Sequence, residues 1–426
     1  MANNSHILRI KRLSTSHFAK NVAILFSGTA IAQAIPIAVS PILTRLYSPD
    51  DFGLLAIYSA CIMVLSVIAT ARFELAIALP DKVTDAANLF ILTLKVCTLI
   101  SLLLLIPIVL FADDIASSLG HEKLTPWLYL LPLSIIATGA FNAIQLWHNR
   151  LSHYKTIAMN RVQYSILTAG TQIGCGLSQL NGGLLIGSIF SNLAISGWMA
   201  QRLWKTDKTL FKQVDSSSQW RLAQRYSSHP KYIAPSQLIG VTAQQIPLLI
   251  ISTVYSLTAA GFFSLAFRLV SLPTTLVASA IGDVYRQKIA EEYNHKGEFR
   301  GTFLKTLATT ASLALLPSLI LYVAAPSLFA LVFGESWRIA GEYAQILIIS
   351  AYVQFIFTPI DKGALVVGAN KYIFFWHCGR LTALALLFFY TIYQQPSIEL
   401  ILYLLAFINI TLYLIDGIVE YWLSGK

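Results

Sequence analysis

Twelve apolar runs, each long enough to cross a bilayer as a helix, leave this chain few choices of fold. They fall at 18–44, 53–79, 86–111, 126–147, 156–177, 183–203, 232–254, 259–282, 302–325, 342–366, 371–393 and 397–420. About 20 helical residues cross roughly 30 Å of hydrocarbon. A helix also satisfies its backbone hydrogen bonds within one segment, as lipid demands. A membrane β-barrel is written instead in strands of about ten residues of alternating polarity, and none of these runs alternates. Only 12% of the 426 residues are charged, about half the ~25% of a soluble domain, so most of the surface faces lipid. The reading is an all-α polytopic membrane protein of about 12 transmembrane helices.

The connections set the topology. Arg9, Lys11, Arg12 and Lys20 lead into the first run, which is too long for a signal-peptide core, lacks a convincing cleavage site and reads as a permanent span. With the N-terminus in the cytoplasm, the cytoplasmic connections collect Lys205, Lys208, Lys212, Arg221, Arg225 and Lys231 in 204–231, and Arg286, Lys288, Lys296 and Arg300 in 283–301. The opposite side holds Arg45, Lys123 and Arg338 among the acids Asp50, Asp51, Asp113, Asp114 and Glu122. This is the positive-inside asymmetry, and it places both termini in the cytoplasm. The net charge of +10 is spread over these connections, which argues against a nucleic-acid partner.

The basic stretch 204–231 divides the spans six and six, giving an N-terminal segment 1–17, a lobe 18–203, a linker 204–231 and a second lobe 232–426. Tyr47-Ser48 and Gly53 open the second run, and 208 residues later Tyr255-Ser256 and Gly261 repeat the spacing. Halves with even numbers of spans would be parallel repeats about an axis along the membrane normal.

Enzyme signatures such as HExxH, Walker A and GxSxG are missing, and no His/Cys group has metal-ligand spacing. Cys61, Cys97, Cys175 and Cys378 read as small core residues. The paired acids Asp50-Asp51, in a tight turn after Pro49, and Asp113-Asp114, closing a helix, read as ordinary solvated loop acids rather than metal-binding carboxylates.

Charges within the runs are the candidate site. Lys95, Arg268 and Arg380 each lie about nine residues into a run, roughly 13 Å deep at 1.5 Å per residue. Arg72 and Arg161 lie in cytoplasmic halves. A cation at bilayer centre costs roughly 2.5–3.5 kcal/mol even on the mildest scale, so these are expected to line a watery cavity. Structural alternatives stand beside this: Arg72 can pair with Glu74, and Arg72, Arg161, Lys305 and Lys362 can snorkel. A mainly cationic cavity suits an anionic substrate, and guanidinium forks suit phosphate. Glu74 and Asp361 are the acids placed to couple transport to a proton or sodium gradient; no other cofactor is expected.

The stretch Pro41-Ile42-Leu43-Thr44-Arg45-Leu46-Tyr47-Ser48-Pro49-Asp50-Asp51-Phe52-Gly53 resembles the segment joining spans one and two in Wzx-type oligosaccharide flippases of the multidrug/oligosaccharidyl-lipid/polysaccharide exporter (MOP) superfamily. The second half, through Gly261 and Phe262 to Arg268, is similar, as is the twelve-span outline. The resemblance implies a V-shaped, alternating-access transporter that moves undecaprenyl-diphosphate-linked oligosaccharide from the cytoplasmic to the periplasmic leaflet for O-antigen (lipopolysaccharide) or capsule assembly. Its expected partners are the lipid-linked oligosaccharide and membrane lipid, with a polysaccharide polymerase and a chain-length regulator as candidates. Rival readings are a small-molecule or drug antiporter on the same scaffold, disfavoured by the basic surplus, and a membrane glycan polymerase, disfavoured by the lack of a large outward loop.

Overall fold

The apolar runs fold as helices bounded by local capping chemistry. In the computed structural model the backbone is described for residues 2–425, and side chains for 24–369 and 371–425. The expected segment 1–17, with Arg9, Lys11 and Arg12, falls outside the described side chains, as does Lys20. The principal helices are α1 (Ala2–Leu46), α2 (Pro49–Thr70), α3 (Val83–Ser118), α4 (Leu131–Arg150), α5 (Tyr154–Leu177), α6 (Gly183–Thr206), α7 (Ser216–Arg225), α8 (Ala234–Val254), α9 (Leu257–Pro273), α10 (Ser279–Lys296), α11 (Arg300–Phe333), α12 (Arg338–Phe357), α13 (Asn370–Gln394) and α14 (Ile398–Leu423). No strand occurs among the described residues.

Helices stand at all twelve predicted runs, but not all twelve are equally apolar. Among the described residues ten helices are long and apolar enough to cross a membrane, or eleven if the pair Glu122–Leu128 and Leu131–Arg150, bent by 58°, is one span. The twelfth, α5, has the length of a span but carries Asn160, Arg161, Gln163, Thr168, Thr171 and Gln172. Its neighbours satisfy these groups. Arg161 and Ser165 bond Thr29 and the Ala32 carbonyl of α1, while Thr171 and Gln172 bond Ser191 and Ser188 of α6. Such interhelical bonds let a polar helix sit among spans.

Two predicted connections are helical. The charged stretch after 282 continues the helix to Lys296, where Gly297 in a left-handed conformation ends it. Together with α9 and a π-helical turn at Thr274–Ala278 following Pro273, this forms a helix of 40 residues, Leu257–Lys296. At 1.5 Å per residue it is about 60 Å long, so one end extends beyond the hydrocarbon. Within the linker, α7 is capped by Asp215, whose carboxylate accepts from Ser218 N at 2.8 Å and from the Ser217 hydroxyl at 2.6 Å. These bonds, that of Ser217 foremost, hold the Asp215 carboxyl well below the usual carboxylate range.

The chain forms two compact units, Met1–Leu46 with Tyr58–Ile115 and Leu124–Leu238, and Tyr47–Ile57 with Ala116–Lys123 and Ile239–Lys426. In the first, α5 packs on α1 and α6, and the core gathers Ile77, Phe90, Ile144, Trp147, Phe211 and Leu222. The linker is part of this core, because Trp147 Nε1 donates to Asp207 at 2.9 Å and Phe211 and Leu222 are buried. In the second unit α11 packs on α12, which also contacts α9 and α14. Trp337 is wholly buried there, edge-on to Phe52 and Phe262. Large apolar side chains are exposed along α3 (Leu99, Leu102, Leu103, Ile106) and α11 (Leu315, Leu316, Leu319, Ile320). In a chain of this kind such faces meet lipid.

Candidate functional site

The sequence singled out seven charged residues, and the structure gives them different surroundings. Helix α2 ends at Thr70, and Ala71 and Arg72 follow with φ of 48° and 58°. Non-glycine residues held in this left-handed region cost of order 1–3 kcal/mol each. The break turns Arg72 onto Glu74, Nη1 to Oε1 at 3.0 Å, with the Glu74 carboxylate buried in the 3-10 turn Phe73–Ala78. The pairing anticipated from sequence is present. Glu74 Oε2 and Arg72 Nε remain buried without hydrogen-bond partners among the described residues.

Arg161 is also engaged, its Nη1 donating to Thr29 Oγ1 at 2.7 Å. Lys95 donates to Gln219 Oε1 of α7 at 2.9 Å, a partner 124 residues away. One turn earlier on α7, Asp215 N bonds Asn88 Oδ1 of α3. The linker helix therefore covers the early turns of α3 as far as Lys95. Counting depth from the start of the apolar run omits this cover, because the shielding element lies far away in sequence.

Arg268 and Arg380 differ from these. Arg268 is exposed on α9 and has neither a hydrogen bond nor an ion pair among the described residues. Arg380 lies over the Trp376 ring at 5.8 Å, and its Nε is buried without a partner. Asp361, in the turn after α12, pairs with Lys362.

Around Asp361 the second unit assembles two further acids. Asp416 and Glu420 are four residues apart on one face of α14, and both are buried. Tyr372 donates to Asp416, and both Glu420 oxygens accept from Ala364 N at 3.0 and 3.1 Å. Their i,i+4 spacing was the available signal. The seven residues thus divide into Arg72–Glu74, Arg161 and Lys95, each engaged within the first unit, and Arg268, Arg380 and Asp361 in the second. No group of three metal-ligating side chains occurs among the described residues.

Comparison with known proteins decides the family: residues 42–341 match the model described as polysaccharide biosynthesis protein. The chain belongs to that family. The succinoglycan biosynthesis transport protein ExoT of Rhizobium meliloti (strain 1021) is 25% identical over 351 residues, 80% of this chain and 68% of that protein. Among solved structures, lipid II flippase MurJ in an inward closed conformation has a TM-score of 0.71 at 13% identity, covering 94% of this chain and 87% of that one. An outward-facing multidrug resistance MATE family transporter of the MOP superfamily scores 0.61 at 14% identity, covering 95% and 94%. At these identities the structural likeness establishes the fold alone, an all-helical one shared with these transporters. The resemblance read in the sequence is borne out, and the chain is a multi-pass membrane protein of the polysaccharide biosynthesis protein family.

Proposed function

We propose that this protein flips undecaprenyl-diphosphate-linked oligosaccharide from the cytoplasmic to the periplasmic leaflet of the inner membrane during O-antigen or capsule assembly. Arg268 carries the reading within the chain. An arginine in an apolar span is costly unless something satisfies it, and Arg268 has no partner among the described residues. A diphosphate offers the fork-matched oxygens that a guanidinium binds best. Arg380 is the second candidate contact, since Trp376 leaves its Nε unpartnered. Arg72, Arg161 and Lys95 take a supporting role, because protein groups already hold them. Transport proceeds by alternating access, and Glu74 and Asp361, each paired with a neighbouring cation, are the candidates for ion coupling. Both termini lie in the cytoplasm, and the polymerase and chain-length regulator act on the delivered unit.

The test is the sidedness of lipid-linked oligosaccharide in cells lacking the protein, complemented with wild type or Arg268→Ala. Accumulation on the cytoplasmic leaflet, relieved by wild type alone, is the expected result. Normal appearance of the intermediate on the periplasmic leaflet without the protein would overturn the reading.

A further inference from the structure

Between α10 and α11 of the second unit lies a groove of about 470 Å³, lined by Ala280, Ile281, Val284, Tyr285, Lys288, Thr302, Lys305, Thr306 and Thr309. Both walls change from charged to uncharged sequence along this groove. On α11, Lys305 is followed by 29 residues without a charge before Glu335. The exposed side beyond it runs through Leu313, Leu316, Leu319 and Ile320. On the continuous helix Leu257–Lys296 that ends in α10, residues 269–282 are uncharged, and Asp283, Arg286 and Lys288 then follow within two turns. The groove thus carries Lys288 and Lys305 toward its charged end and Ala280, Ile281 and Val284 toward the uncharged one.

The polar groups of the groove are only partly used by the protein. Lys305 has no ion pair among the described residues, while Lys288 lies 3.9 Å from Glu292, which also accepts from the Thr302 hydroxyl at 2.8 Å. The Asp283–Arg286 pair close by, at 3.8 Å, leaves that neighbourhood near neutral. Tyr285, 3% exposed, keeps its hydroxyl buried without a hydrogen-bond partner among the described residues. Val284 is 70% exposed beside it.

We propose that this groove binds an anionic phospholipid of the adjacent leaflet, its phosphate held by Lys305 and Lys288 and an acyl chain lying against Ile281 and Val284. The leaflet is the cytoplasmic one if the charge asymmetry of the connections fixes the orientation. Lysine ammonium groups act as point charges suited to a single phosphodiester, and no guanidinium fork of the kind that grips a diphosphate lines the groove. The occupant is thus a bulk anionic lipid, distinct from the transported one, and the site does not depend on the flipping reading.

Native mass spectrometry of the full-length protein, released from nanodiscs containing equal phosphatidylglycerol and phosphatidylcholine, tests this. Wild type should retain phosphatidylglycerol preferentially. Lys305→Gln should reduce that retention roughly five-fold, the equivalent of about 1 kcal/mol for one cation at a membrane surface. Val284→Trp, which fills the groove without touching a charge, should reduce it with Lys305 intact. Both variants alter exposed side chains, and gel filtration in detergent checks their fold. Equal retention of the two lipids by wild type would overturn the proposal, as would wild-type retention in both variants. Displacement of phosphatidylglycerol by equimolar undecaprenyl diphosphate would assign the groove to the transported lipid and overturn it as well.

Discussion

Gly53 and Gly261 meet backbone to backbone, and the contact is reciprocal. A Cβ on Gly53 would lie 2.1 Å from the Leu257 carbonyl oxygen and 3.1 Å from Gly261 N. One on Gly261 would lie 1.9 Å from the Pro49 carbonyl oxygen and 3.2 Å from Gly53 N. Both pairs, Pro49 with Leu257 and Gly53 with Gly261, are related by the same offset of 208 residues, which also relates Asp50 to its hydrogen-bond partner Thr258. Ser48 caps α2 through Asp51, and its counterpart Ser256 caps α9 by accepting from Ala259 N. The echo in the sequence is therefore a local two-fold contact between the first turns of two helices.

Adding a methyl at either glycine forces backbone apart, since the obstructing atoms are carbonyl oxygens rather than movable side-chain ends. Overpacking of this kind costs about 1–3 kcal/mol. Gly53→Ala and Gly261→Ala should each lower the thermal midpoint of the detergent-solubilised protein by several degrees. Gly379→Ala, on α13 with nothing within 4 Å of the added Cβ, should leave it unchanged or slightly raised. Equal midpoints for all three would show that the close approach is not needed.

A buried indole is one of the groups that hold the linker. Trp147 is wholly buried and its Nε1 donates to the Asp207 carboxylate. A hydrogen bond to a charged group contributes about 1.5–3 kcal/mol. Trp147→Phe should make the linker open more often, read as faster tryptic cleavage at the exposed Lys205, Lys208 and Lys212. Asp207→Asn keeps an acceptor oxygen and should accelerate cleavage less. Unchanged cleavage in Trp147→Phe would mean that Phe211 and Leu222 suffice to hold the linker.

Hydropathy made the helices legible because lipid imposes one requirement on every span. It overreached where polarity was read as conformation: charge between Asp283 and Lys296 marks exposure to water, yet nothing there breaks a helix before Gly297. Helix α7 was hidden for a related reason, since little beyond Gln219 and Leu222 faces the core in its ten residues. The Arg72–Glu74 pair was legible because its members are two residues apart. The Lys95–Gln219 bond was not, since only tertiary structure brings those residues together.

Glu420 is a structural carboxylate by its bonds to Ala364 N, and Gly363 leaves room for it: a Cβ there would lie 2.2 Å from Glu420 Oε2. Glu420→Gln retains an acceptor for the buried N–H and should fold, whereas Glu420→Ala strands it at a cost of about 1–3 kcal/mol. The comparison of purified yield and thermal midpoint reads this directly. If Glu420→Gln proves as damaging as Glu420→Ala, the negative charge itself is required.

Arg268 separates stability from transport most cleanly. It makes no hydrogen bond or ion pair with the described residues, so its removal gives up little that holds the fold. Arg268→Ala and Arg268→Lys should both keep the wild-type thermal midpoint within about a degree, because exposed substitutions away from special features stay within roughly 0.5 kcal/mol. Transport should respond differently. Arg268→Lys preserves the charge but replaces a bidentate fork with a point donor, and losing one charge-assisted hydrogen bond of about 1.5–3 kcal/mol lowers flux some ten-fold or more. Arg268→Ala should abolish it. By contrast, Arg161→Gln breaks the bond to Thr29 between two packed helices and should lower the midpoint before it lowers flux per folded molecule. A large fall in midpoint for Arg268→Ala, with flux per folded molecule retained, would place Arg268 in the packing of α9 rather than in the path of the substrate.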